Sequence, residues 1–331
     1  MQVKKALAAL LQNSEWSQDR RVGGPPDFLT SALDVVSAPL WDSEKHKFAG
    51  MLTVSDIINL IQYYYQMDKT YGDAEKDVER FQLSGLREVE AAIEVPSPSL
   101  YSAHPQDRLF EVCKLLSETH ARRLPLLDRD EESGMETIVS VVTQYRVLKF
   151  IAMNCRQATM LRRSVKSLGI GTYVPQIATA TMQTTVFDVV HLFAKGGISA
   201  VPIVDENGVV VNLYETVDVM VSRKTMTQTE PDFPLQTLVR TGAYHSLDLT
   251  IAEAILRRSS DFAGVRTCTA DDSLANILEL IRRERVHRFV IVQSEEEAHI
   301  SGDDPSSAAQ IRGKLVGMLT LSDVLKYLIN G

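Results

Sequence analysis

Nowhere does the 331-residue chain hold a run of about 18 apolar residues, and its start lacks the basic, apolar and small-residue order of a secretory signal. A soluble protein is expected. Cysteine is scarce: Cys113, Cys155 and Cys268 are odd in number, far apart, and show neither C-x-x-C pairing nor metal-ligand spacing with the seven histidines. This excludes a disulfide framework and points to a reducing, intracellular compartment. Positive charge is in deficit, 35 Lys and Arg against 43 Asp and Glu, for a formal charge of -8. A broad nucleic-acid or membrane footprint would need a net basic face. A small anionic ligand needs only a few local cations and stays open.

Catalytic signatures are also missing. There is no P-loop, G-x-S-x-G, H-E-x-x-H, kinase lysine or catalytic loop. Asp261-Phe262-Ala263-Gly264 is only superficially a kinase magnesium motif, and Gly169-Ile170-Gly171 lacks the third glycine of a dinucleotide loop. The expectation is a non-enzyme with no catalytic residue, metal or prosthetic group.

What the chain does hold is a repeat, present four times. The first anchor is an apolar run ending near a proline and an aspartate: Ser37-Ala38-Pro39-Leu40-Trp41-Asp42, Arg123-Leu124-Pro125-Leu126-Leu127-Asp128 and Ala200-Val201-Pro202-Ile203-Val204-Asp205, with Arg288-Phe289-Val290-Ile291-Val292 as a degenerate fourth. The second anchor follows as Met51-Leu52-Thr53-Val54-Ser55-Asp56, Val141-Val142-Thr143-Gln144-Tyr145-Arg146, Leu213-Tyr214-Glu215-Thr216-Val217-Asp218 and Met318-Leu319-Thr320-Leu321-Ser322-Asp323. Amphipathic segments flank each pair, so each unit predicts helix, strand, strand, helix. Apolar runs without alternation predict sheets covered on both faces. A unit this small cannot bury a core alone, which predicts two domains, 1–160 and 161–331, each of two repeats. Ser222–Pro234 and Ser294–Gln310 read as mobile loops. Ser14–Asp34, with Gly23-Gly24-Pro25-Pro26, is an insertion the other copies lack.

Thr-x-x-Asp at Thr53/Asp56 and Thr320/Asp323 stands where a strand gives way to a helix, which is the sequence of a helix cap. Repetition in register offers a second reading, in which Asp56, Asp218 and Asp323 accept ribose hydroxyls as the acid of a dinucleotide fold does. Arg146 holds that position in the second copy and cannot accept hydroxyl hydrogens, so its cleft should behave differently. Arg122-Arg123 and His287-Arg288 precede first-anchor strands, and guanidinium forks suit phosphate oxygens; Arg258 and Arg266 are further candidates. The plainer reading of any one of these is a solvated surface charge or a salt bridge.

Four such units with G-x-L-T-x-S-D at the second anchor resemble CBS motifs, whose pairs form Bateman modules. Val-Ser-Ala-Pro-Leu-Trp-Asp-Ser at 36–43, Leu-Arg-Glu-Val-Glu at 86–90, Val-Thr-Gln-Tyr-Arg-Val-Leu-Lys-Phe at 142–150, Ile-Gly-Thr-Tyr at 170–173 and Val-His-Arg at 286–288 are similar to the gamma-subunit family of AMP-activated protein kinases, fungal type. The resemblance implies an α/β (α+β) fold of tandem repeat pairs in a disc-like arrangement with adenylates meeting at its centre. It implies ribose contacts from Asp56, Asp218 and Asp323, and adenine-side contacts from Thr172, Ala178, Ile198, Ser199, Thr320 and Ser322. Phosphate contacts would come from Arg123, His287, Arg288 and Arg258, with Thr53 and Arg146 also at the sites.

The ligands so implied are AMP, ADP and ATP, the partners a catalytic alpha subunit and a scaffold beta subunit, and the location cytoplasm and nucleus. Animal members carry an arginine where this chain has Val36 and a histidine where it has Arg122, which bears on the sites using the first repeat. The resemblance also implies a further N-terminal strand and helix, and reads Ser14–Asp34 as a translated intron. Alternatives are a constitutive scaffold with little nucleotide response, or a regulatory module of another effector.

Overall fold

The computed structural model describes residues 37–42, 45–66, 91–92, 100–119, 121–130, 132–154, 159–221, 247–258, 262, 264–293 and 313–330. The Ser14–Asp34 insertion, Val36 and the segments 222–234 and 294–310 lie outside them.

Repeat 1 contributes β1 (Ser37–Asp42), β2 (Lys47–Thr53) and α1 (Val54–Gln66). Repeat 2 runs α2 (Leu109–Glu118), β3 (Arg123–Arg129), β4 (Glu136–Thr143) and α3 (Gln144–Asn154). β5 (Thr172–Tyr173) leads into repeat 3, with α4 (Val186–Gly196), β6 (Ala200–Val204), β7 (Val210–Glu215) and α5 (Thr216–Val221). After α6 (Ile251–Leu256), repeat 4 comprises β8 (Thr267–Cys268), α7 (Leu274–Arg283), β9 (Arg288–Val292), β10 (Leu315–Thr320) and α8 (Leu321–Asn330).

The four hairpins are antiparallel, with equivalent pairs Ser37↔Thr53, Arg123↔Thr143, Ala200↔Glu215 and Arg288↔Thr320 opening each one. One feature departs from the expected order: a short parallel strand precedes the first helix of a unit. It is β8 beside β9 in repeat 4, and single bridges Ala103↔Leu126 and Ala180↔Ile203 in repeats 2 and 3. One or two residues are too few to show a period, which is why the pattern hides them.

Caps fix where the helices start. Thr185 accepts from the Asp188 N–H at α4, Ser273 from Asn276 at α7, and Thr250 with Glu253 forms a reciprocal capping box at α6. Gly197 ends α4 in the left-handed region, φ 58°, and turns the chain toward β6. Gly317 lets β5 dock on β10: a Cβ there would lie 2.7 Å from the Thr172 carbonyl oxygen.

Each repeat is buried against two others by different means. The helices of repeats 2 and 4 share one core, including Leu116, Leu148, Ile151, Ile277, Ile281 and Leu325. Those of repeats 1 and 3 share another, including Ile58, Val189, Phe193 and Tyr214. Sheets supply the remaining contacts. Ala200, Val210 and Leu213 of repeat 3 pack on Val290 and Val292 of repeat 4, and the Phe48 N–H of repeat 1 donates to Glu136 of repeat 2 at 3.1 Å. The contacts close into a ring, 1 to 2, 2 to 4, 4 to 3 and 3 to 1, and the turns before β3, β6 and β9 come together inside it.

Leu148 is fully buried between repeats 2 and 4. Leu148→Ala is expected to lower unfolding free energy by about 2–5 kcal/mol, read by urea denaturation.

Candidate functional site

An open cleft of ≈370 Å³ lies where repeats 1, 2 and 3 meet. Repeat 1 supplies Met51, Thr53, Ser55 and Asp56, repeat 2 and its approach supply Leu100, Tyr101, Ala121, Arg122 and Arg123, and repeat 3 supplies Gly197 and Thr216. Its lining therefore combines apolar and aromatic residues with one acidic residue, Asp56, and two arginines, Arg122 and Arg123.

The Thr-x-x-Asp turns are helix caps in repeats 1 and 4. Asp56 Oδ2 accepts from the N–H and hydroxyl of Thr53. In repeat 4, Asp323 Oδ2 accepts from the Thr320 N–H at 2.9 Å and hydroxyl at 2.7 Å, while the Asp323 N–H donates back to Thr320 at 3.3 Å. The cap engages Oδ2 in both turns, which fixes the carboxylate plane at the helix start. A carboxylate with about four acceptor sites retains Oδ1 for a ligand hydroxyl.

Repeat 3 is built differently, because Glu215 stands where the other two have threonine. Asp218 Oδ2 accepts from the Glu215 N–H and from Arg258 Nη2, both at 2.7 Å. Arg258 also donates Nη1 to Asn212 at 3.0 Å and Nη2 to the Leu213 carbonyl at 2.7 Å, and lies 4.0 Å from the Phe262 ring centroid. Its side chain is 7% exposed and that of Asp218 8%. Arg258 thus supplies the donor that threonine gives elsewhere, and reaching a phosphate would require giving up these bonds. Burial raises the Asp218 carboxyl to about 6 against the opposing pull of Arg258.

The other expected cations converge. Ser199 Oγ, buried, accepts from Arg122 Nη2 at 2.7 Å and Arg288 Nη1 at 3.1 Å, joining repeats 2, 3 and 4. Arg288 Nε sits 3.0 Å from Glu215 Oε1. Desolvation, then the charges of Arg288 and Arg123, lowers Arg122 to about 10, although part of its surface opens on the cleft. Burial and then Arg285 lower Arg123, and burial lowers Arg288 against the pull of Glu215 and Asp218. His287 is lowered to about 4 by desolvation and then by Arg288, Arg285, Arg123 and Arg122, although the residue itself is exposed, so the neighbouring charges are the firmer cause. These groups repel one another and are complementary to a compact anion.

Other expected residues lie elsewhere. Arg146 is exposed on the first turn of α3, Thr172 is paired with Met318 at a sheet edge, and Ala178 and Ile198 line no part of the cleft. With both lone pairs facing guanidinium donors, Ser199 stands at the cationic pole. Sequence reasoning passed over Glu215, Tyr101 and Gln144. Glu215 could have been found as a carboxylate in the threonine position; Tyr101 carries no periodic signal.

Two results follow. His287→Gln should flatten part of the acid limb of stability. The folded-state pKa of His287 lies below the ordinary 6.5, so the unfolded chain takes up the proton first and stability falls as pH drops from about 6.5 to about 4. Urea midpoints across that window read the difference. Arg258→Ala, which strands a buried carboxylate, should cost about 3–5 kcal/mol at neutral pH in the same assay.

Comparison with known proteins gives a consistent answer. The CBS domain family model matches residues 91–153 and 170–220. The chain is 41% identical over 329 residues to "5'-AMP-activated protein kinase subunit gamma" of Saccharomyces cerevisiae, covering 99% of this chain and 84% of that protein. It is 42% identical over 328 residues to the Kluyveromyces lactis protein of the same name, covering 99% and 82%. Among solved structures, a Methanocaldococcus jannaschii protein described as an archaeal homolog of g-AMPK shares the fold, with TM-score 0.58 and 16% identity over 90% of this chain and 89% of that one. The hairpins, the capped carboxylate turns and the near full-length identity agree: this chain belongs to the family of 5'-AMP-activated protein kinase gamma subunits.

Proposed function

We propose that the protein is the regulatory, adenylate-sensing subunit of a heterotrimeric kinase, assembled with a catalytic alpha and a scaffold beta subunit. AMP, ADP and ATP compete for its clefts, and no bond is made or broken there. The strand-linked repeat pairs 1–160 and 161–331 are its two modules in this reading, acting in cytoplasm and nucleus. The observation that carries it is the ≈370 Å³ cleft, where a capped carboxylate, apolar and aromatic residues and two guanidinium groups line one space. A nucleoside phosphate offers complementary groups: vicinal hydroxyls for Asp56, a flat base for Leu100, Tyr101 and Met51, and a phosphate for Arg122 and Arg123.

The second repeat carries Arg122 where the resemblance puts a histidine in animal members, and this supports the reading, since Arg122 is a cation that lines the cleft. Charge-assisted hydrogen bonds contribute about 1.5–3 kcal/mol each, so three or four reach the roughly 8 kcal/mol of a micromolar ligand. Regulation then requires only that AMP and ATP differ in affinity for two arrangements of the trimer.

Calorimetric titration of the purified chain with AMP, ADP and ATP tests this. Saturable micromolar binding is expected, weakened at least about tenfold by Asp56→Ala in one cleft and by Asp323→Ala in another. A folded chain giving neither heat nor competition with any adenylate supports the scaffold alternative instead.

A further inference from the structure

The residue after the second-strand threonine position starts the closing helix of every repeat. It is Val54 in repeat 1, Gln144 in repeat 2, Thr216 in repeat 3 and Leu321 in repeat 4. In repeats 2 and 3 its backbone ties that helix to the turn before a first-anchor strand. The Gln144 N–H donates to the Arg122 carbonyl at 3.1 Å, and the Thr216 N–H to the Ser199 carbonyl at 3.1 Å. Valine or leucine at this place serves the repeat, so its architecture does not call for a buried amide.

Gln144 is nevertheless 4% exposed and bonded at both ends of its side chain. Nε2 donates to the Ala121 carbonyl at 3.0 Å, and Oε1 accepts from the Ser322 hydroxyl at 3.0 Å. A carbonyl only accepts, so Ala121 fixes which way the amide faces, and the amide fixes where the Ser322 proton points. Removing either partner leaves a buried polar atom unpaired, so the three groups hold their arrangement together.

The ends of this bridge belong to different repeats. Ala121 and Arg122 line the cleft that holds Asp56, whereas Ser322 lines no part of it and stands beside the capped Asp323 of repeat 4. We propose that Gln144 is a positioning residue that couples the Asp56 cleft to the Asp323 turn: occupancy at that turn shifts Ser322, and the amide passes the shift to the turn carrying Arg122. The ligand's identity rests on the adenylate reading above; the mechanical link does not.

The test uses the full chain as wild type, Ser322→Ala, Gln144→Leu and the double variant. Leucine is what repeat 4 carries at this position, and Gln144→Val, the residue of repeat 1, is the second choice should the first fail to fold. AMP affinity is followed at the Asp56 cleft, defined as the binding lost in Asp56→Asn. Ser322→Ala is expected to weaken it about threefold to tenfold in wild type and by less than about twofold once Gln144 is replaced, a coupled pair in a double-mutant cycle. Equal effects in both backgrounds, or none in wild type, overturn the proposal. If AMP does not bind that cleft at all, the adenylate reading fails there, and hydrogen exchange in the 119–124 segment decides the link alone. Ser322→Ala must then speed exchange in wild type and leave it unchanged in Gln144→Leu; the same rate change in both sinks the coupling.

Discussion

One crowded meeting of like charges stands at the centre of the ring, and the rest of the structure holds it there. Arg122 and Arg288 both donate to the hydroxyl of Ser199; desolvation and then the charges of neighbouring arginines lower Arg122, Arg123 and His287, and Glu215 is the counter-charge beside Arg288. Left alone, such a cluster would disperse into solvent. It persists because the three turns that bear it are ends of strands and helices whose other faces are buried in two separate cores.

The ring of contacts explains why those cores are arranged as they are. Helices join repeats 2 with 4 and 1 with 3, while sheets join 3 with 4 and 1 with 2, so no repeat can shift without disturbing two neighbours. The apolar burial of four small units is thus turned into convergence of the three turns before β3, β6 and β9. Local stability is given up at the centre through repulsion among the cations, and a bound anion would recover it. This is the arrangement by which a scaffold without catalytic groups can respond to a small ligand.

Much of this was legible in the sequence, for physical reasons. The hairpins repeat with register, and Pro39, Pro125 and Pro202 mark equivalent places in them, so four units could be read without knowing their packing. Asp56 and Asp323 were legible because a capping turn needs a fixed spacing. The leading strands were not, being one or two residues long. Nor was the fate of Arg258, whose pairing with Asp218 follows from Glu215 replacing threonine 43 positions earlier. Nothing local to Gln144 says that its amide reaches another repeat, because that contact exists only after the helices of repeats 2 and 4 have docked.

The most direct measurement is the titration of the His287 imidazole by NMR, assigned with His287→Gln, in the free chain and with saturating AMP or adenosine. The account predicts a pKa well below the ordinary value in the free chain, raised by AMP and left nearly in place by adenosine, because a phosphate beside the arginines reverses the local field while a nucleoside does not. An imidazole that titrates normally in the free chain, or one that bound AMP and bound adenosine move alike, would contradict the claim that the centre of the ring is an anion site.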